Sequence, residues 1–218
     1  VFDEWDLRLY KRLDSGEGRK NFIVLLGIKP AFMKKRCAWV GQQAIYEAYH
    51  DKEWGCPNYN SDQLFEKFVL DSFQAGLSWL VVLRKRDNFR VAFDGFDARK
   101  IAAYDQQKVE DLMKDKGIIR NRLKIEATIT NAQAYLKLNE EEGGFSQFLW
   151  NFVGGKPQVN RWKNISEVPT HTSASDAMSK ALKKNGFKFC GTTICYAFMQ
   201  AVGMVNDHTI DCFRYKEV

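Results

Sequence analysis

The sequence predicts a mainly α-helical fold. Apolar side chains recur at intervals of three and four through most of the chain between Cys37 and Cys212. Two-residue alternation, the mark of a half-buried strand, is rare and reaches only Gly186 to Phe189. Polar residues able to cap a helix stand ahead of several periodic stretches.

Residues 1–36 run charged, then apolar, then basic through Lys34, Lys35 and Arg36. Leu7, Leu9, Tyr10 and Leu13 suit one face of a short helix, and Asp14 to Lys20, with two glycines, reads as a loop. This stretch is an N-terminal extension to which the sequence assigns no role. The segment 37–218 is the main domain. Its first helix carries Ile45, Tyr46, Tyr49 and His50 at helical spacing. Ser61 or Asp62 is placed to cap a helix holding Leu64, Phe65, Phe68 and Val69. Leu80 to Ala92 reads as a helix with a basic polar face, and Lys108 to Lys114 and Leu123 to Leu138 bracket a short turn. Phe145 to Phe152, Ser175 to Lys184 and Thr193 to Val202 complete the set, with Asp176 three residues after Ser173 as an approximate capping signal.

The 218 residues are 45% hydrophobic and 14% aromatic, which suits one domain, or one domain with an appendage. No apolar run approaches the roughly 20 residues of a membrane helix; the longest, Phe22 to Ile28, is far shorter. No targeting segment is visible. The net charge of +6 suits an anionic partner such as nucleic acid, and equally a basic protein without one. Five cysteines, an odd number, argue against a disulfide framework and for a reducing, cytoplasmic setting.

Three groupings can carry chemistry. Cys37 and His50 lie early in the domain, and His208 and Cys212 lie late. Two thiolates and two imidazoles make a closed tetrahedral zinc set, structural because no position is left for water. Two buried cysteines and two hydrogen-bonded histidines is the competing reading. The second grouping runs from Val109 to Ile125 and reads helix, tight turn, helix, with Gly117 allowing the turn and Ile118 and Ile119 anchoring it. Backbone N–H groups at the second helix start, with Arg120, Arg122 and Lys124, favour an anion; an ordinary αα-corner with a wet basic face fits as well. The third is the aromatic set Trp39, Tyr46, Tyr49, Trp54 and Trp79 with polar Glu53, Asp71, Gln74 and Ser78. A flipped base needs such faces and a few polar groups to read its edge, although aromatics more often form core.

Several stretches resemble the 3-methyladenine DNA glycosylase I family: Cys37-Ala-Trp-Val40, Ala48-Tyr-His-Asp-Lys-Glu-Trp-Gly55, Gln74-Ala-Gly-Leu-Ser-Trp79, Gly117-Ile-Ile-Arg120, Thr172-Ser-Ala-Ser-Asp176, Gly191-Thr-Thr-Ile-Cys-Tyr196 and Val205-Asn-Asp-His208. The likeness runs from about Cys37 to about Cys212. It implies a helix-hairpin-helix DNA glycosylase fold with one structural zinc on Cys37, His50, His208 and Cys212, joining the N- and C-terminal parts of the domain. It implies a base stacked on Trp79, with Trp39 and Tyr49 lining the same pocket. Gly76 and Leu77 correspond to the segment that fills the hole left by an extruded base. Two positions depart from the family pattern: Asp71 stands where a Glu usually reads the adenine edge, and Ala197 where a Ser is frequent.

The implied activity is hydrolytic excision of 3-methyladenine from alkylated duplex DNA by a monomer. N3 methylation puts a positive charge on the purine, so the base leaves neutral and needs no protonation. Asn131 and Ala132 follow the hairpin, so no carboxylate stands there to help the sugar. No lysine stands out as a Schiff-base nucleophile, so lyase activity is not expected. The rival reading is a non-catalytic, zinc-stabilised module that binds damaged DNA, with Asp71 and Ala197 marking a decayed pocket.

Overall fold

The computed structural model describes residues 34–218, of which Lys35–Val218 form one compact unit. The expected helix over Leu7 to Leu13 and the loop after it lie outside the described residues. The described residues are mainly helical, as the periodicity predicts. The α-helices in chain order are α1 (Ala44–Lys52), α2 (Ser61–Gln74), α3 (Trp79–Ala92), α4 (Ala98–Ala102), α5 (Gln106–Lys114), α6 (Arg122–Asn139), α7 (Gly144–Trp150), α8 (Ser173–Lys184) and α9 (Thr192–Ala201). None of them is long and apolar enough to cross a membrane.

Helix α2 is the axis of the domain. Its residues Leu64, Phe65 and all of Phe68 to Phe73 are buried, and it packs against α3, α6, α7 and α9. With six consecutive residues buried, more than a full turn of the helix is enclosed on every side. Aromatic contacts fix its neighbours: Phe65 meets Tyr135 of α6 at 4.7 Å, Phe68 meets Phe198 of α9 at 6.0 Å, and Phe73 meets Phe89 of α3 at 4.7 Å. One member of this buried run, Asp71, is a carboxylate.

The helix starts differ in detail from the sequence expectation. Asn60 caps α2, accepting from the Gln63 N–H at 3.0 Å. Ser61 and Asp62 serve tertiary contacts instead: the Ser61 hydroxyl accepts from the Ser146 N–H and the Asp62 carboxylate from the Tyr135 hydroxyl. At α8 the capping box is formed by Thr172 and Ser175, while Asp176 accepts from the Thr192 hydroxyl and so joins α8 to the start of α9. The short α4, capped by Asp97, has no clear periodic signal in so few residues. The segment Gly186 to Phe189 forms no strand, and Phe189 sits at φ 53°, which interrupts extended backbone. Extended pairing occurs instead between two-residue strands β1 (Gln158–Val159) and β2 (Val205–Asn206), which are parallel with Gln158 opposite Val205. This pair fixes the stretch leading into His208. Gly203, just ahead of it, has φ +72° and lies so close to the backbone of Gly55, Cys56 and Pro57 that a Cβ would meet Pro57 N at 2.4 Å.

Candidate functional site: an aromatic cavity beside a cysteine–histidine cluster

Helix α1 presents Tyr46 and Tyr49 to a cavity of about 240 Å³. Trp39, Trp54, Asp71 and Trp79 line it from neighbouring segments, and Ala197 closes it from α9. The five aromatic residues, Asp71 and Ala197, which the sequence reading places around a base, are thus brought together. Gln74 also lines the cavity. Glu53 does not: it lines a neighbouring cavity and binds Arg86 through both oxygens, at 2.5 and 3.0 Å. Ser78 is the residue preceding α3 and is absent from the lining.

The rings set the walls. Trp39 meets Trp54 edge-on at 5.1 Å and Tyr46 at 5.3 Å, and Tyr49 meets Trp79 at 5.3 Å. Asp71 is 1% exposed, and burial pushes its carboxyl above the usual range despite an opposing charge. That charge is Lys67, one helical turn earlier on α2, whose ammonium donates to Asp71 Oδ1 and sits 3.9 Å from the centre of the Trp79 ring. Burial pushes the Lys67 ammonium down. Two buried polar atoms here have no hydrogen-bond partner among the described residues: Asp71 Oδ2 and Trp79 Nε1. Orphaned polar atoms are rare in folded proteins, and their clustering at a cavity marks a place built for a polar guest. Asp207 also lines the cavity and accepts from Asn160, Trp162, Tyr196 and Gln200 at 2.7–2.8 Å.

Sequence reading missed Lys67 and Asp207. Lys67 had a usable signal, its i,i+4 spacing from Asp71 on one helix face. Asp207 lies in the family-like stretch Val205 to His208, but its role was hidden because its donors at 160, 162, 196 and 200 are separate in the chain.

Behind the aromatic wall lies the second feature. One ligand-type atom each from Cys37, His50, His208 and Cys212 falls within 4.8 Å of all the others, and all four residues are buried. Cys37 Sγ is 3.5 Å from His208 Nδ1, and Cys212 Sγ is 3.4 Å from His50 Nε2 and 3.5 Å from His208 Nδ1. The remaining ring nitrogens are engaged elsewhere: His50 Nδ1 contacts Asp51 Oδ1 at 2.8 Å, and His208 Nε2 contacts the Trp54 carbonyl at 3.3 Å. Those acceptors place a proton on each outer nitrogen and leave the inner nitrogens free as lone-pair donors. Arg36 in turn holds Asp51 through two hydrogen bonds, which keep its carboxyl down at about 2. The Cys37 thiol, beside Cys212 and buried, lies above its ordinary range; Cys212 is held down by Cys37 and both histidines. Such a set could hold a metal ion. Gly55 makes room for it, since a Cβ there would lie 2.9 Å from His208 Nε2. Trp54 touches both features, lining the cavity while meeting the His208 ring at 4.5 Å.

The third feature is the α5–α6 hairpin. Ile118 is buried and Ile119 partly so, while Arg120 is exposed. Asn121 caps α6 by accepting from the Lys124 N–H. Two expectations need correction. Gly117 does not adopt left-handed backbone; it is small because a Cβ would lie 2.9 Å from Asp115 Oδ1 and 3.2 Å from Asn88. Lys124 does not add charge to the outer surface. It is 7% exposed, and its ammonium donates to the carbonyls of Phe73 at 2.7 Å and Ala75 at 2.6 Å, at the end of α2. Arg122 pairs with Glu110 at 2.9 Å. The hairpin is thereby tied to the loop carrying Gly76, at φ +77°, and Leu77, which is 42% exposed. Asn131 is buried and bonds both ways with the Lys188 backbone, so it has a structural partner.

Comparison with known proteins gives a consistent result. The methyladenine glycosylase family model matches residues 39–215. The chain is 55% identical over 181 residues to DNA-3-methyladenine glycosylase 1 of Escherichia coli (strain K12), covering 83% of this chain and 97% of that protein. A crystal structure of a 3-methyladenine DNA glycosylase I superposes with a TM-score of 0.81 at 52% identity, over 82% of this chain and 98% of the other. A variant of a 3-methyladenine DNA glycosylase I in complex with 3-methyladenine superposes with a TM-score of 0.79 at 38% identity, over 82% and 96%.

Proposed function

The chain belongs to the methyladenine glycosylase family, and from that premise we propose that it is a monofunctional DNA-repair glycosylase excising 3-methyladenine from alkylated duplex DNA. The observation that carries the proposal is the aromatic cavity lined by Asp71 and Trp79, whose Oδ2 and Nε1 are buried and unpartnered. An alkylated purine swung out of the duplex would stack on Trp79 and Tyr49, with Trp39, Tyr46, Trp54 and Ala197 closing the slot. Asp71 Oδ2 is free to accept from an exocyclic amine, although Asp is about one methylene shorter than the Glu usual in the family.

Little further machinery is required. The glycosidic bond to a cationic purine is already weakened, and the base departs neutral as water attacks the sugar. Selection therefore rests with the slot. Hydrolysis by water, without a lysine–sugar adduct, is the reading we adopt. We read residues 37–218 as the glycosylase domain and the α5–α6 segment as a helix-hairpin-helix. Gly117, Ile118, Ile119 and Arg120 would sit at a DNA phosphate, bonded by N–H groups at the start of α6. Gly76 and Leu77 would enter the space that the extruded base vacates.

We assign the cysteine–histidine cluster to one structural zinc. Zinc bonds of ~2.3 Å to sulfur and ~2.0–2.1 Å to nitrogen in a tetrahedron put sulfur and nitrogen about 3.5 Å apart; three sulfur–nitrogen pairs stand at 3.4–3.5 Å, and all four ligand atoms lie within 4.8 Å of one another. With four protein ligands the ion would have no open position, so it would tie Cys37 to Cys212 rather than take part in the reaction.

The test is chromatography of bases released from methylated duplex DNA by zinc-loaded protein, with a strand-cutting assay alongside. The expected result is free 3-methyladenine and uncut strands. No release would overturn the proposal, and binding to the same DNA without release would favour the non-catalytic reading.

A further inference from the structure

We infer that Lys67 is a specificity-determining residue that turns base binding into an exchange of one cation for another; this rests on the reading of the aromatic cavity as the site for an alkylated base. Two determinants for positive charge on the slot's lining are the Asp71 carboxylate and the Trp79 face. Both are occupied by the protein's own ammonium: Lys67 Nζ bonds Asp71 Oδ1 and lies 3.9 Å from the Trp79 ring centre. Ammonium over indole is the same interaction that a methylated purine cation would make by stacking there. Asp71 is thus already balanced in charge before any guest arrives, while Asp207, on the same lining, is held by neutral donors.

That balance discriminates between guests. A neutral purine reaching Trp79 must either lie against the ammonium or push it away and leave Asp71 buried without a counter-charge, which is costly at 1% exposure. A cationic purine replaces the ammonium charge for charge, and Asp71 stays paired throughout. The ammonium has somewhere to go. Lys67 also lines the neighbouring cavity, where Glu53 and Glu66 stand. Arg86 and Arg90 already pair with those glutamates, but each carboxylate has further lone pairs to offer. Lysine is suited to the move, being a point charge on a flexible stem. An arginine fork held by Asp71 would release less readily.

The experiment uses zinc-loaded full-length protein and two small probes, the permanently cationic 3,9-dimethyladeninium and neutral 9-methyladenine, titrated by tryptophan fluorescence. In Lys67→Met, Asp71 loses its partner and is expected to take up a proton, while the neutral probe no longer meets an ammonium. The ratio of cation to neutral affinity should fall about tenfold relative to wild type. An unchanged or increased ratio in folded Lys67→Met overturns the inference. The second measurement needs no variant: the ¹⁵N ammonium resonance of Lys67 should shift on adding the cationic probe, and a resonance that stays put overturns the exchange. Wild type that releases 3-methyladenine from DNA but fails either test refutes this inference alone. Wild type that releases nothing and binds neither probe refutes the parent reading with it.

Discussion

Replacing Lys124 with methionine tests how the hairpin is joined to the loop at the end of α2. Methionine keeps the length and apolar volume of the lysine stem and deletes only the ammonium. Lys124 Nζ donates to the Phe73 and Ala75 carbonyls at 2.7 and 2.6 Å, in a setting only 7% exposed. A hydrogen bond from a charged group contributes about 1.5–3 kcal/mol. A cation near a helix C-terminus adds ~0.3–1 kcal/mol, more when partly buried. Against these stands the burial of the ammonium, which lowers its proton affinity and which methionine avoids. The net loss works out near ~3 kcal/mol. At roughly 2–4 °C per kcal/mol for a domain of this size, the melting temperature should drop by about 6–12 °C. Urea unfolding should give the same loss with an unchanged slope. Amides of residues 75–78 should also exchange faster with solvent, because their tether is gone. A loss below ~1 kcal/mol, with exchange unaltered in that loop, would show that the two hydrogen bonds do not hold it.

Trp79→Ala removes the stacking wall and should weaken binding of the base by about 1–3 kcal/mol, read as a higher KM and lower release of 3-methyladenine; release at the wild-type rate would exclude Trp79 from the slot. Asp71→Asn should lower selective excision while DNA affinity, measured by gel shift, stays nearly intact. Cys212→Ala, or removal of the metal with a chelator, should lower thermal stability before it alters the reaction, and wild-type protein should carry one zinc per chain by elemental analysis; normal stability with lost turnover would make the metal catalytic. Gly203→Ala should destabilise the fold by at least ~2 kcal/mol, since the new Cβ meets backbone atoms at 2.4–2.7 Å and the φ of +72° is unfavourable for alanine; thermal unfolding within 2 °C of wild type would contradict that.

The helices were legible because their signal is local. Spacing of three and four marks α2, α3 and α6 wherever apolar side chains face a core, and the boundaries come within a few residues. The caps were less legible. Asn60 rather than Ser61 closes α2 because Ser61 and Asp62 are used by α7 and α6, a choice made by distant residues. Trp39, Tyr49, Trp54 and Trp79 were recognisable from the family-like stretches that carry them, and Tyr46 from its helical spacing to Tyr49. Lys67 was missed although its i,i+4 spacing from Asp71 marks a pair, because that spacing does not say whether the pair is buried or solvated. Lys124 misled for the same reason: in sequence it belongs to a basic cluster with Arg120 and Arg122, but α2 ends where its ammonium can reach. Asp207 acquires its meaning from donors at 160, 162, 196 and 200, whose convergence depends on the β1–β2 pairing.

Trp54 links the aromatic cavity to the cysteine–histidine cluster, and both draw on two stretches far apart in sequence, residues 37–79 and 197–212, with Ile165 and Val168 completing the cavity. During synthesis, the first group emerges long before the second. A growing chain therefore lacks both its slot and its clamp until residues 197–212 have left the ribosome, and ribosome-bound fragments ending before Ala197 should release no 3-methyladenine. Neither feature can form on the first stretch alone, because α9 and the turn carrying His208 and Cys212 must close against α1.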